Sequence, residues 1–172
     1  QEIEMLCQVD PVVYYPFNGN ANDEGGFAHH GSVNGPSLTF DRFGNPISAY
    51  FFDGDDDVIE ISDDTCLSIA DAISLSLWVK PTTIPSVGNS MLLGKSDYYT
   101  TTNYILRMLP DGYLQWEYDT YDETTEAPLV VDQWSHIAVT ASQPGVDKKV
   151  YLNGFVVNTS SYPSTGAFGL IS

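Results

Sequence analysis

Seven carboxylates crowd into twelve residues: Asp53, Asp55, Asp56, Asp57, Glu60, Asp63 and Asp64. Carboxylates this close repel one another, and a bound divalent cation relieves the repulsion. Hard cations such as Ca²⁺ take oxygen ligands, so a calcium site in a rim loop is the chemistry this cluster could perform. An EF-hand is excluded. Asp53, Asp55 and Asp57 imitate its first, third and fifth loop positions, but Val58 stands where the sharp-turn glycine belongs, and Val58–Ile61 reads as a strand. The competing reading is a solvated turn, with Asp residues chosen for turn geometry.

The aromatic residues form a second constellation, with 11 Tyr and 3 Trp. Trp116 and Tyr118 share one face of a predicted strand, opposite Tyr113, Glu117 and Asp119, and Tyr98 and Tyr99 sit in a polar loop. Rings beside carboxylates and amides suit sugars, whose C–H faces stack while their hydroxyls need hydrogen bonds. These four residues are therefore the candidate ligand contacts, against the alternative that they are core aromatics of an all-β protein.

Catalysis finds little support in the residue pattern. Polysaccharide hydrolases on β-sandwiches place carboxylates at alternate positions of one strand, close enough to serve as nucleophile and acid/base. Glu117 and Asp119 begin such a pattern, but Tyr121 occupies the third position. No nucleophile elbow, phosphate loop or zinc spacing occurs, and His29, His30 and His136 are not spaced as ligands. The expectation is a binding or building module rather than an enzyme.

Six basic against 23 acidic residues give a formal net charge of −17, without any Lys/Arg cluster. Nucleic acid and anionic lipid are poor partners for such a surface. No apolar run reaches transmembrane length, so membrane insertion is not expected. Cys7 and Cys66, the only cysteines, fit a single disulfide in an oxidising compartment. It would stabilise the fold by about 4 kcal/mol on chain-entropy grounds and tie down an N-terminal extension, residues 1–11. Beginning at Gln1 without a charged-then-apolar leader, the chain reads as a mature secreted or cell-surface protein. Asn158-Thr159-Ser160 satisfies the N-glycosylation sequon.

These groups must be positioned by strands, because the apolar pattern is of period two and no helical stripe occurs. Ile73, Leu75, Leu77 and Val79 alternate with Ser74, Ser76 and Trp78. Further strands are predicted at Val12–Phe17, Ala49–Phe52, Val58–Ile61, Ser90–Gly94, Asn103–Leu109, Tyr113–Thr120, Trp134–Thr140, Lys148–Asn153 and Phe155–Thr159. Pro110-Asp111-Gly112 and Asn153-Gly154 are hairpin turns, the latter with type I′ chemistry. The prediction is one all-β domain over residues 1–172, an antiparallel β-sandwich or jelly roll.

Six segments in order resemble the laminin-G-like, concanavalin-A-like jelly-roll family. They are Tyr14–Glu24, His30–Gly35, Arg42–Asn45 with Ala49–Ile59, Leu75–Lys80, Trp134–Thr140 and Val150–Gly154. The resemblance implies a recognition or adhesion module that binds carbohydrate or an extracellular protein. It also implies a structural Ca²⁺ held by Asn20 and Asp23, with backbone carbonyls around Asn18 and Gly19, and with Asp53 as a further ligand. Family members continue with one or two closing strands that have no counterpart before Ser172. That departure raises the alternative of a self-assembling surface-layer or filament subunit completed by strand complementation.

Overall fold

A computed structural model describes residues 11–69, 72–96, 102–118, 121–125, 127–142 and 147–161. The chain divides into two compact units, residues 1–68 and 69–172. Both are built from antiparallel strands, and the architecture is an all-β antiparallel sandwich.

In the first unit, β1 (Gly31–Asn34) pairs with β4 (Val58–Ile61), and β2 (Ser37–Thr39) pairs with β3 (Ala49–Phe51). The registers place Asn34 opposite Val58 and Ser37 opposite Phe51. The two ladders are therefore successive stretches of one long hairpin. The sequence missed β1 and β2 because their side chains are mostly exposed, so no apolar alternation marks them.

Val12–Phe17, expected as the first strand, joins no described sheet. Tyr14 gives its backbone N–H to the Asp23 carboxylate rather than to a neighbouring strand, and Phe17 takes a positive φ of 57° just after Pro16. A β-rich composition is thus overridden by a side-chain acceptor and a turn.

The second unit is a two-sheet sandwich. One sheet has the order β12 (Phe155–Ser161), β11 (Asp147–Leu152), β10 (Ser135–Ser142), β5 (Ala72–Val79). The other runs β6 (Ser90–Ser96), β7 (Thr102–Met108), β8 (Leu114–Tyr118), β9 (Tyr121–Thr124). Alternation sends Ile137, Val139 and Ala141 of β10 inward, with Ile73 of β5 and Val150 of β11, to meet Leu106, Leu114, Trp116 and Tyr118 from the opposite sheet. The period-two pattern read from the sequence in β5 is the pattern seen, and the strand at Tyr121–Thr124 was missed.

Both predicted turns carry the expected backbone. Asn153 and Gly154 have φ of 52° and 85°, as a type I′ hairpin requires, and Asp111 and Gly112 are likewise positive at 70° and 85°.

Trp116 is fully enclosed while Phe155, on the edge strand β12, is 75% exposed. Trp116→Ala should lower the unfolding free energy by about 3–5 kcal/mol and Phe155→Ala by less than about 0.5 kcal/mol. Urea denaturation followed by circular dichroism measures both.

Candidate functional site

The hairpin arms of the first unit are unequal where the two ladders meet. Gly35-Pro36 on one arm faces residues 52–57 on the other, so the surplus residues loop outward. That loop is the acidic run, and its backbone binds its own side chains. The Asp53 N–H donates to Asp57 Oδ2 at 2.8 Å, the Asp55 N–H donates to Asp53 Oδ1 at 2.9 Å, and Gly54 turns the chain with a φ of 85°.

Gly35 sets the position of the last carboxylate. A Cβ at residue 35 would lie 2.0 Å from Asp57 Oδ1, and the backbone φ there is 95°, so a glycine is required on both counts. The outcome is a cluster of Asp53, Asp56 and Asp57, each offering an oxygen within 4.8 Å of the others. Two oxygens bound at about 2.4 Å to a single Ca²⁺ can be at most about 4.8 Å apart, so the spacing fits one ion. The donors are all carboxylate oxygens, which suit calcium and not zinc or copper. Asp53 and Asp56 are exposed and Asp57 is half-buried, leaving the cluster open to solvent.

Asp23, the other expected ligand, has a different setting. It is a buried carboxylate whose Oδ1 accepts the N–H groups of Tyr14 and Gly25, each at 2.8 Å, and whose Oδ2 accepts that of His29 at 3.1 Å. Its own N–H donates to His30 Nδ1 at 3.1 Å, and His29 Nδ1 stands 3.7 Å from Oδ2. Burial pushes this carboxyl upward, but the three backbone amides and the neighbouring His29 ring outweigh burial and hold it below its ordinary value.

The loop before it is likewise self-bonded. Asn20 Oδ1 accepts from the Asn22 N–H at 2.7 Å, Asn20 Nδ2 reaches Asn18 O at 3.4 Å, and the Gly19 N–H donates to Phe17 and Ile47 carbonyls. Asn18, Gly19, Asn20 and Asp23 thus form a bonded loop of their own, while Asp53 groups with Asp56 and Asp57. The sequence had marked Asp56 and Asp57 only as members of an acidic run. Their role in the cluster depends on Gly35, more than twenty residues away in sequence, and on the unequal hairpin arms.

Two ligand-contact expectations are corrected. Trp116 and Tyr118 are 0% and 2% exposed, packed in the sandwich core, so neither can touch a sugar. The face they share is the inward one. Tyr98 and Tyr99 lie outside the described residues, as do Cys7 and Asp119. Glu117 is half-buried and ion-paired with Arg107. Cys66, in a 3₁₀ turn capped by the Asp64 side chain, is not a free thiol. Asn158 is on β12 opposite Val150.

Comparison with known proteins bears on this arrangement. Residues 53–169 match the laminin-G-type family described as the concanavalin A-like lectin/glucanases superfamily. The chain belongs to that superfamily. Its sandwich is accordingly the jelly roll that the sequence motifs resembled. A solved structure from Bacteroides ovatus ATCC 8483, of a protein to which carbohydrate binding is ascribed, is similar at 18% identity with a TM-score of 0.45. The similarity covers 77% of this chain and 31% of that one, so the chain spans about a third of its length. No curated protein matches. No helix among the described residues is long and apolar enough to cross a membrane.

The Asp23 carboxylate predicts a pH dependence. Because its folded value is depressed, it contributes stability above the unfolded carboxylate value of about 3.9, and that contribution is lost as pH falls through the folded value. Asp23→Asn replaces one acceptor oxygen by a donor facing other donors and should cost about 1–3 kcal/mol at neutral pH. The same variant should flatten the acid limb of the stability curve, measured by urea titration between neutral and acid pH.

Proposed function

We propose that this chain is a non-catalytic extracellular recognition module that binds carbohydrate and is stabilised by calcium at Asp53, Asp56 and Asp57. The observation that carries the reading is the grouping of three oxygens within 4.8 Å on an open loop. Three like charges at that separation repel one another, and a bound divalent cation would relieve the repulsion.

Calcium bound there would neutralise the cluster and fix the loop. The protein's part is to hold the oxygens ready. Asp57 is seated over Gly35, Asp53 is tied through the Asp55 amide, and Asp57 in turn accepts the Asp53 amide. Membership of a superfamily of lectins and glucanases supports carbohydrate as the ligand class. The Arg107 partner of Glu117 favours a structural role for the acid that a hydrolase would need. The compartment is oxidising in this reading, with Cys66 bonded to Cys7.

Calcium binding is tested by thermal unfolding with millimolar CaCl₂ or EDTA. At about ten times the dissociation constant the ion should add about 1.4 kcal/mol, a rise of about 3–6 °C in Tm. Asp53→Asn and Asp57→Asn should abolish the rise. So should Gly35→Ala, which displaces the Asp57 carboxylate without altering any charge. The absence of a calcium-dependent rise in the native protein, or of retention on any immobilised glycan, would overturn the reading.

A further inference from the structure

The outward face of β5 and β10 carries a group of side chains that neither the core nor the acidic loop uses. Inward positions of β5 are odd-numbered and those of β10 are also odd, so Ser76, Trp78 and His136 project to the opposite side, with Lys80 and Trp134 one residue beyond the ends of the two strands. Trp78 and His136 are cross-strand partners with ring centroids 5.1 Å apart and planes tilted by 41°. Lys80 stands over the Trp134 ring with its Nζ 5.8 Å from the centroid.

The group is braced. Ser76 Oγ lies 2.8 Å from His136 Nε2, and the His136 backbone is held on both sides by Asn153, whose side chain accepts its N–H at 2.9 Å and whose N–H donates to its carbonyl at 2.8 Å. Trp78 remains 44% exposed, and the residues next to it on its own face, Ser76 and Lys80, are exposed as well. Its indole therefore rises above small and polar neighbours. Single exposed apolar residues are ordinary. An indole and an imidazole paired across one ladder, with a second indole under an ammonium just beyond its end, are not.

We propose that this face is the saccharide-contact platform, taking a neutral hexose oligosaccharide. The inference rests on the carbohydrate-recognition reading above, but places contact on residues of the second unit that are not among the proposed calcium ligands. A pyranose with equatorial hydroxyls presents a flat C–H face that stacks on an indole, while its rim hydroxyls need donors and acceptors. Ser76, Lys80 and His136 supply them. A net charge of −17 disfavours acidic sugars. A protein partner is the competing occupant, and the experiment separates the two.

Binding of cellohexaose and laminarihexaose is measured by calorimetry and by tryptophan emission, with the sedimentation coefficient followed in parallel. Trp78→Ala should weaken binding on the order of 30-fold, the loss expected when a contact hot spot is truncated, and Trp78→Phe should lose less. Both variants should keep the native Tm within about 2 °C, because the position is exposed, and keep the calcium-dependent rise. Undiminished binding by Trp78→Ala overturns the platform. So does native protein that binds neither probe, or a Trp78→Ala effect confined to self-association. If glycans are retained and only the Asp53→Asn and Asp57→Asn variants lose them, the platform fails while the recognition reading stands. If the native protein retains no glycan, both fail.

Discussion

A pleated strand has two faces, and in this protein the assignment of β5 and β10 to one orientation governs the rest of the second unit. Eight cross-strand partners, from Ser135 with Val79 to Ser142 with Ala72, lock the two strands in a single register. A slip of β5 by one residue against β10 would bring Trp78 and Ser76 inward and expose Ile73, now buried. The register is therefore held by the burial of the odd-numbered side chains, each worth roughly 1.5–3 kcal/mol when large and apolar. The outward side chains are not part of the sandwich core, and hydrogen-bonding and aromatic groups collect there.

In the first unit the governing quantity is the fate of carboxylates. Asp23 is buried and neutralised by fixed dipoles, receiving three backbone N–H groups that the surrounding loop would otherwise leave without acceptors. The same charge that would be costly alone in the interior becomes the hub about which residues 14–29 are arranged. Asp53, Asp56 and Asp57 lie at the other extreme. They are exposed enough to be hydrated, yet their loop spends amide donors on Asp53 and Asp57 and brings one oxygen of each of the three together. One site has its counter-charge built in, and the other has a geometry that calls for one.

The sequence disclosed what depends on short-range periodicity and little that depends on pairing. The alternation of ISLSLWVK, the Asn153-Gly154 turn and the class of fold were all legible, because each is written in consecutive residues. The orientation of Trp116 and Tyr118 was half legible: the shared face was evident, but which face lay inward was settled by the opposite sheet. Val12–Phe17 misled because strand-favouring residues were claimed by the Asp23 side chain instead of a ladder. The acidic cluster was visible as composition, whereas its membership required the mismatch of two residues against six between hairpin arms. Trp78 was placed on the outward face by alternation. Its pairing with His136 was not legible, because cross-strand register is invisible in one segment.

Charge is a property of the whole chain. With 23 acidic and 6 basic residues, its net field is negative. At physiological salt that field decays over about 8 Å, so it filters ligands near the surface more than it attracts them from afar. A divalent cation is drawn to the acidic loop, and an anionic ligand is turned away. A neutral sugar is indifferent to the field and is judged by contact alone, through ring stacking and hydrogen bonds. Lys80, one of the six basic residues, stands over the Trp134 ring and so presents an ammonium donor beside the stacking surface. The same charge imbalance thus favours cations over polyanions and leaves any neutral ligand to be selected by contact alone.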